Sequence, residues 1–223
     1  MICILYAYAR LLATMGVHVI SCDEMTGIQA LERVAATQPM QPDQPERIEF
    51  EYVRHGTLSL IANFEVASGQ VVLPSLGPTR TEVDFAVHIA QTIATDPEAA
   101  WVFISDQLNT HQSEALVRLV AQHCDPTAEL GVKGSSGVLK SLTSRAAFLS
   151  EVAHRIQFVY VPKHTSWLNQ VEIWFSILVR RVLKRGNFNS LDDLRAHILA
   201  FIAYFNQTAK PFAWTYTGRP LVV

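Results

Sequence analysis

The run Ala100-Trp-Val-Phe-Ile-Ser constrains the fold of this chain more than any other segment. Six residues without polar alternation read as a strand covered on both faces, and such strands belong to sheets with helices on either side. Val17-His-Val-Ile-Ser-Cys and Ile156-Gln-Phe-Val-Tyr-Val are further strand-like runs, the second closed by Pro162. Thr57–Val66 and Gln70–Leu73 are β-rich and separated by Ala-Ser-Gly, which predicts a hairpin. Helical periods are predicted over residues 3–14, 81–95 with Thr79 as cap, 112–123, 145–153, 166–184 and 190–206, the last capped by Ser190. Three prolines make residues 37–47 an irregular loop, and the Gly, Ser, Lys and Thr of residues 125–144 predict an exposed insertion. The order that results is an α/β mixed sheet of about five strands flanked by helices, with an insertion (about 125–153) between the fourth and fifth strands.

Composition excludes several classes. Hydrophobic residues make up 49% and charged residues 17% of the 223, which is unlike a disordered or coiled-coil chain. No apolar run approaches the roughly 18 residues of a membrane span, so no membrane partner is expected. Cys3, Cys22 and Cys124 are odd in number and lack CxxC spacing, which argues against a disulfide framework or a zinc site and for a reduced, cytoplasmic setting. The net charge of −2 conceals an asymmetry. Residues 1–130 hold 6 Lys/Arg against 16 Asp/Glu, a net −10, whereas residues 131–223 hold 12 against 4, a net +8. A basic C-terminal part is what a phosphate-tracking surface requires, and it is equally what a solvated basic face looks like.

Three carboxylates stand where chemistry is expected. Asp23 and Asp106 each follow an apolar strand, so adjacent parallel strands would bring both to one sheet edge, where ligand sites of open α/β sheets gather. Glu172 falls within the helix predicted over 166–184, beside its inward face, where an unpartnered carboxylate is costly to desolvate. Hard oxygen ligands of this kind suit Mg²⁺ or Mn²⁺. An Asp at a strand end is also an ordinary turn or cap residue, so each position alone carries little.

The surrounding words carry more. Asp23 lies in Ser-Cys-Asp-Glu-Met-Thr-Gly, Asp106 in Ile-Ser-Asp-Gln-Leu-Asn-Thr-His, and Glu172 in Pro-Lys-His-Thr-Ser-Trp-Leu-Asn-Gln-Val-Glu-Ile-Trp-Phe; Tyr-Phe-Asn-Gln-Thr-Ala-Lys-Pro-Phe-Ala-Trp-Thr follows at 204–215. With these motifs in this order the chain closely resembles the catalytic domain of IS630-family transposases, the bacterial branch of the IS630/Tc1/mariner superfamily with a DDE endonuclease core. The resemblance covers nearly everything after residue 17. It implies a ribonuclease H-like fold, with residues 1–16 a residual N-terminal helix and 17–223 the catalytic domain. It also implies catalytic and metal-binding roles for Asp23, Asp106 and Glu172, with Asp23 bridging two Mg²⁺ or Mn²⁺ ions and each of the others holding one.

The implied reaction is cleavage at transposon ends followed by strand transfer into target DNA at TA dinucleotides, and the implied partner is DNA, with a homodimer formed in the DNA complex. The 65 residues between Asp106 and Glu172 exceed the compact family pattern and place the excess in the insertion. Family members carry helix-turn-helix units ahead of the first catalytic strand, where only about 16 residues stand here. The chain therefore reads as either a catalytic domain or a truncated, non-catalytic DNA-associated remnant. Supporting roles are expected for His111 and Asn169 and DNA-phosphate contacts for Lys163, His164, Arg180, Arg181, Lys184 and Arg185. Glu24 is expected to point to the other face as a structural residue, and Trp167, Trp174, Phe175, Phe201, Tyr204 and Phe205 to be core.

Overall fold

The computed structural model describes residues 1–216; the last seven residues of the expected catalytic domain lie outside the described residues. Five strands form one mixed sheet in the order β3-β2-β1-β4-β5. They are β1 (Val17–Arg33), β2 (Tyr52–Glu65), β3 (Gln70–Gly77), β4 (Ala100–Ser105) and β5 (Ile156–Tyr160). β1, β2 and β3 run antiparallel as a meander, whereas β4 and β5 join β1 in parallel. The expected α/β architecture of about five strands with helices on both faces is present.

Alternation along β1 sorts the helices into two layers. Ile20 and Cys22 face α2 (Glu82–Ile93), α3 (Glu114–Cys124) and α4 (Leu142–Leu149), where Phe85, Ile89, Leu116, Val120 and Phe158 are buried. The opposite face is covered by α1 (Ile2–Thr14), α5 (Gln170–Leu178) and α6 (Leu191–Gln207). There Val19 packs with Tyr6 and Ala9 of α1, and Leu60, Ala62 and Phe64 of β2 pack with Trp174, Leu178, Leu194 and Ile198.

Several boundaries differ from the sequence reading. β1 does not stop at Cys22 but continues to Arg33, so Asp23 lies within a strand. A register shift between Met25 and Ile28 interrupts the polar/apolar alternation, and Gly27 accommodates it at φ 66°. α2 is capped by Thr81 in a reciprocal box with Asp84; Thr79 donates to the Asp84 carboxylate instead. The insertion is not wholly exposed: Leu139 is buried in the core and Arg145 donates to the carbonyls of Gln112 and Leu139. The helix expected over 166–184 is divided into a short turn at Ser166–Leu168, α5, and a wider π-type turn at Val179–Leu183. Ser190 caps α6 as expected. Of the six aromatics expected in the core, Trp174 and Phe175 are buried, Phe201 and Phe205 pack at its margin, and Trp167 and Tyr204 are exposed.

The C-terminal motif pins the edge strand. The Asn206 side chain accepts from Val71 N at 2.9 Å and donates to Val71 O at 2.8 Å, and Phe212 stacks on Phe64 at 4.7 Å. Gly69 is required by the same approach, since a Cβ there would sit 2.2 Å from the Lys210 carbonyl oxygen. Asn206→Ala removes both bonds from β3 and should cost about 1–2 kcal/mol. The urea midpoint measures the loss; faster exchange of the Val71 amide than of the β4 amides locates it at the edge.

Candidate active site

The site is built where β1 and β4 lie side by side. Their parallel pairing runs from Val17–Ala100 to Ser21–Ile104, so Asp23 and Asp106 each follow two residues after the last pair. Asp23 faces the α5 layer and is 6% exposed. Its Oδ1 accepts from the Glu24 amide at 2.8 Å, and its Oδ2 accepts from Asn169 Nδ2 at 3.1 Å. Asn169, fully buried at the N-cap of α5, also donates to the Cys22 carbonyl at 3.1 Å and accepts from Ser21 Oγ, which in turn accepts from Val171 N at 2.8 Å. These bonds lock the start of α5 onto β1. Glu172 follows in the first turn of that helix, where the N-terminal end of the dipole favours a carboxylate.

Asp106 is held from below. His111, fully buried at the end of the turn after β4, places Nδ1 2.7 Å from Asp106 Oδ1 and Nε2 2.8 Å from Glu24 Oε2. The Glu24 side chain is fully buried, in the structural role expected of it. It does point to the face opposite Asp23, and that is what lets it anchor His111. Tyr160 Oη donates to the His111 carbonyl at 2.8 Å and Phe85 packs against the ring at 4.4 Å.

The charges follow from this packing. Burial opposes a proton on His111, but hydrogen bonds to Asp106 and Glu24, with the charges of Glu24 and Asp23, push its pKa up to about 10. The ring is therefore imidazolium at neutral pH, with both nitrogens donating. Burial would raise Asp106 too, yet His111 and the Leu108 amide hold it below the usual carboxylate range. Asp23 goes the other way: burial pushes its pKa up to about 7, the positive His111 opposes this, and the negative Asp106 adds to it. Burial, and then the charge of Asp106, also raise Glu172. Asp106 thus acts on both other carboxylates, and three acidic groups from β1, β4 and α5 share one electrostatic neighbourhood.

Ligand atoms of Asp23, Glu24 and His111 lie within 4.8 Å of one another, which by distance alone is a candidate metal trio. Both ring nitrogens of His111 are already engaged, by Asp106 Oδ1 and Glu24 Oε2, so the ring has no nitrogen left to offer a cation in this arrangement. His111 therefore serves as the counter-charge of Asp106 and Glu24.

The basic residues divide into two places. Lys163 and His164 are exposed and line, with Asp106, Gln107 and Ser166, a cavity of about 290 Å³. Arg180, Arg181, Lys184 and Arg185 are exposed on and after the π-type turn; Arg181 and Arg185 line a separate cavity of about 360 Å³ with Asn187, Phe188 and His197. That cavity shares no lining residue with the one at Asp106.

A family model described as DDE superfamily endonuclease matches residues 18–195, which contain this cluster. The chain belongs to that family. Among solved structures this DDE endonuclease-family chain resembles the catalytic domain of Mos1 mariner transposase, at 10% identity and a TM-score of 0.52, over 91% of this chain and 77% of that one. It also resembles the Mos1 mariner paired end complex with Mn, at 12% identity and a TM-score of 0.55. The match covers 91% of this chain and 52% of the Mos1 chain, so the chain spans about half the length of that transposase. At these identities the likeness shows the fold alone, a ribonuclease H-like one. No curated protein matches the chain. Among the described residues no helix is long and apolar enough to cross a membrane.

Proposed function

We propose that this chain is the catalytic domain of an IS630-type DNA transposase, with Asp23, Asp106 and Glu172 as its catalytic carboxylates. What supports the reading is the placement of three chain-distant carboxylates on adjoining elements. Asp23 is tied through Asn169 to the start of α5, Glu172 lies one turn further on, and Asp106 ends the neighbouring parallel strand. The donor set fits Mg²⁺ or Mn²⁺: two of the three carboxylates are raised by burial and by a like charge, the repulsion a divalent cation relieves. Asp23, Asp106 and Glu172 would hold two such ions. When bound, they lower the pKa of a water nucleophile and neutralise the charge that develops on a transferring phosphoryl group.

The chain's own groups set the stage for this. The Glu24 amide and Asn169 each fix one Asp23 oxygen, and His111, braced by Glu24, fixes one Asp106 oxygen, so both carboxylates are preorganised with lone pairs left to accept a cation. Lys163 and His164 border the same opening as Asp106 and would take the DNA phosphates on either side of the scissile one. The arginines and lysine at 180–185 would follow the backbone farther out. Water attacks first, releasing a DNA 3′-hydroxyl; that hydroxyl then attacks a target phosphodiester and displaces its 3′ oxygen, which joins the two DNAs. The DNA partner and a homodimer in the DNA complex belong to this reading, as does a cytoplasmic setting.

The test is cleavage of end-labelled duplex DNA by the purified chain, followed by joining to a second duplex. Product is expected with Mg²⁺ or Mn²⁺ and none after chelation. Metal-loaded, folded protein that neither cuts nor joins DNA favours a non-catalytic remnant.

A further inference from the structure

Asp106 stands one residue beyond the end of β4, so no strand pairing holds it. Its place is set by the chain that follows, where its Oδ1 accepts from Leu108 N at 2.9 Å and from the ring of His111 at 2.7 Å. His111 belongs to a single 3₁₀ turn, Asn109–Gln112, and one such turn is too short to fix its own geometry. Two side chains from distant elements fix it instead. Tyr160 Oη of β5 donates to the His111 carbonyl at 2.8 Å, and Arg145 Nε of α4 donates to the Gln112 carbonyl at 2.6 Å. Arg145 Nη1 also donates to the Leu139 carbonyl at 3.2 Å, so one guanidinium joins α4, the buried part of the insertion and the turn that carries His111.

Packing alone does not account for an arginine here. Arg145 is 8% exposed, and among the described residues its hydrogen bonds go to backbone carbonyls rather than to a carboxylate. A buried cation satisfied in this way costs more than an apolar side chain of similar volume. What the guanidinium supplies is a rigid fork that reaches two carbonyls at once. Without that fork the Gln112 carbonyl is left buried and short of its partner, and the turn moves to find another. A displacement of about 1 Å at His111 is enough to spoil a catalytic geometry.

We propose that Arg145 is a positioning residue for Asp106, acting through the Gln112 carbonyl and the His111 ring, with Tyr160 acting on the same turn from β5. The insertion is then part of the framework of the active site and not an appendage to it. This rests on the catalytic role proposed above for Asp106, but the hydrogen bonds themselves need neither DNA nor a cation. Arg145 does not line the opening at Asp106, so its loss should raise the metal requirement and leave the affinity for DNA as it was.

Arg145→Met and Tyr160→Phe test the role in two measurements. The first, on the metal-free chain without DNA, is exchange of the His111 Nδ1 proton with water, followed by NMR with ¹⁵N-labelled histidine. It should quicken roughly tenfold or more in both variants. The second is single-turnover DNA cleavage against Mn²⁺ concentration. The half-saturating Mn²⁺ concentration should rise by roughly tenfold to a hundredfold, while the DNA concentration for half-maximal rate stays unchanged in Arg145→Met. Asn206→Ala, which loosens the β3 edge, is the control for lost stability and should move neither. Where Arg145→Met does not fold, Arg145→Lys, which keeps the charge without the fork, takes its place. Unchanged proton exchange overturns the inference, as does a metal requirement that stays at the wild-type value or shifts equally in Asn206→Ala. A wild type that cleaves no DNA removes the proposed function instead, and the exchange measurement then decides alone whether Arg145 holds His111 against Asp106.

Discussion

Asp23→Asn should cut Mg²⁺-dependent DNA cleavage by roughly a thousandfold or more, the scale on which members of a cooperating catalytic unit act, while the protein stays folded. The side chain is 6% exposed between two donors, Glu24 N at 2.8 Å and Asn169 Nδ2 at 3.1 Å. A carboxamide keeps the shape and one acceptor oxygen. Its NH₂ group then faces the other donor, so one hydrogen bond is lost, at about 1 kcal/mol. Against that, a buried acid beside Asp106 and Glu24 is removed, which relieves repulsion. Near pH 5 the two effects nearly offset, so there the melting temperature in chelator should move by only a few degrees. Activity has no such offset, since the substitution deletes the anionic oxygens proposed to hold the cations. Single-turnover cleavage measures the rate, and circular dichroism guards against an unfolded variant. A folded Asp23→Asn protein that cleaves at the wild-type rate would remove Asp23 from the mechanism.

What the sequence made legible follows from which forces are local. Ala100–Ser105 is buried on both faces, so its pattern is unbroken, and Asp106 could be placed at its end without any partner being known. β1 was legible only as far as Cys22. Beyond it Thr26 and Gly27 break the apolar pattern, and only pairing with β2 on either side of them carries the strand on to Arg33. The break in the helix expected over 166–184 was hidden for a related reason. Asn169 looks like one more helical residue until Ser21, Cys22 and Asp23 claim its side chain and fix it at the N-cap. The bond from Glu24 to His111 was missed because strand alternation, which correctly turns Glu24 away from Asp23, does not say that a histidine 87 residues later will fold beneath it. Its legible signal was the pairing of Asp23-Glu24 with a histidine five residues after Asp106. Trp167 and Tyr204 were assigned to the core by spacing, yet helical spacing fixes a face without saying whether anything covers it.

In chelator, stability between about pH 4 and 7 should be shallow in the wild type and steep in Asp23→Asn, because two buried groups oppose each other across that range. Burial raises Asp23 from 3.8 to about 7, so the folded state keeps a proton that the unfolded chain has already lost. Its contribution is fully present below pH 3.8 and disappears as pH rises through about 7, a change on the order of 4 kcal/mol. His88 acts with the reverse sign. Buried in α2 with Nδ1 2.7 Å from Ser75 Oγ, it is pushed from 6.5 down to about 4 by burial. The unfolded chain takes up that proton first as pH falls, so stability drops from pH 6.5 toward 4, by on the order of 3 kcal/mol. His111 adds no slope there, being protonated in both states below pH 6.5. Removing the Asp23 titration therefore leaves the His88 slope opposed only by the half-buried Glu172, which burial also raises, and urea midpoints taken in steps from about pH 4.5 to 7 should rise with pH more steeply in Asp23→Asn than in the wild type. Millimolar Mg²⁺ should separate the two proteins again above pH 7, where the wild-type carboxylate is ionised and cation binding no longer has to displace its proton. Parallel pH profiles for the two proteins would mean that Asp23 is already ionised without a cation, and the burial argument for a metal at that carboxylate would fail with it.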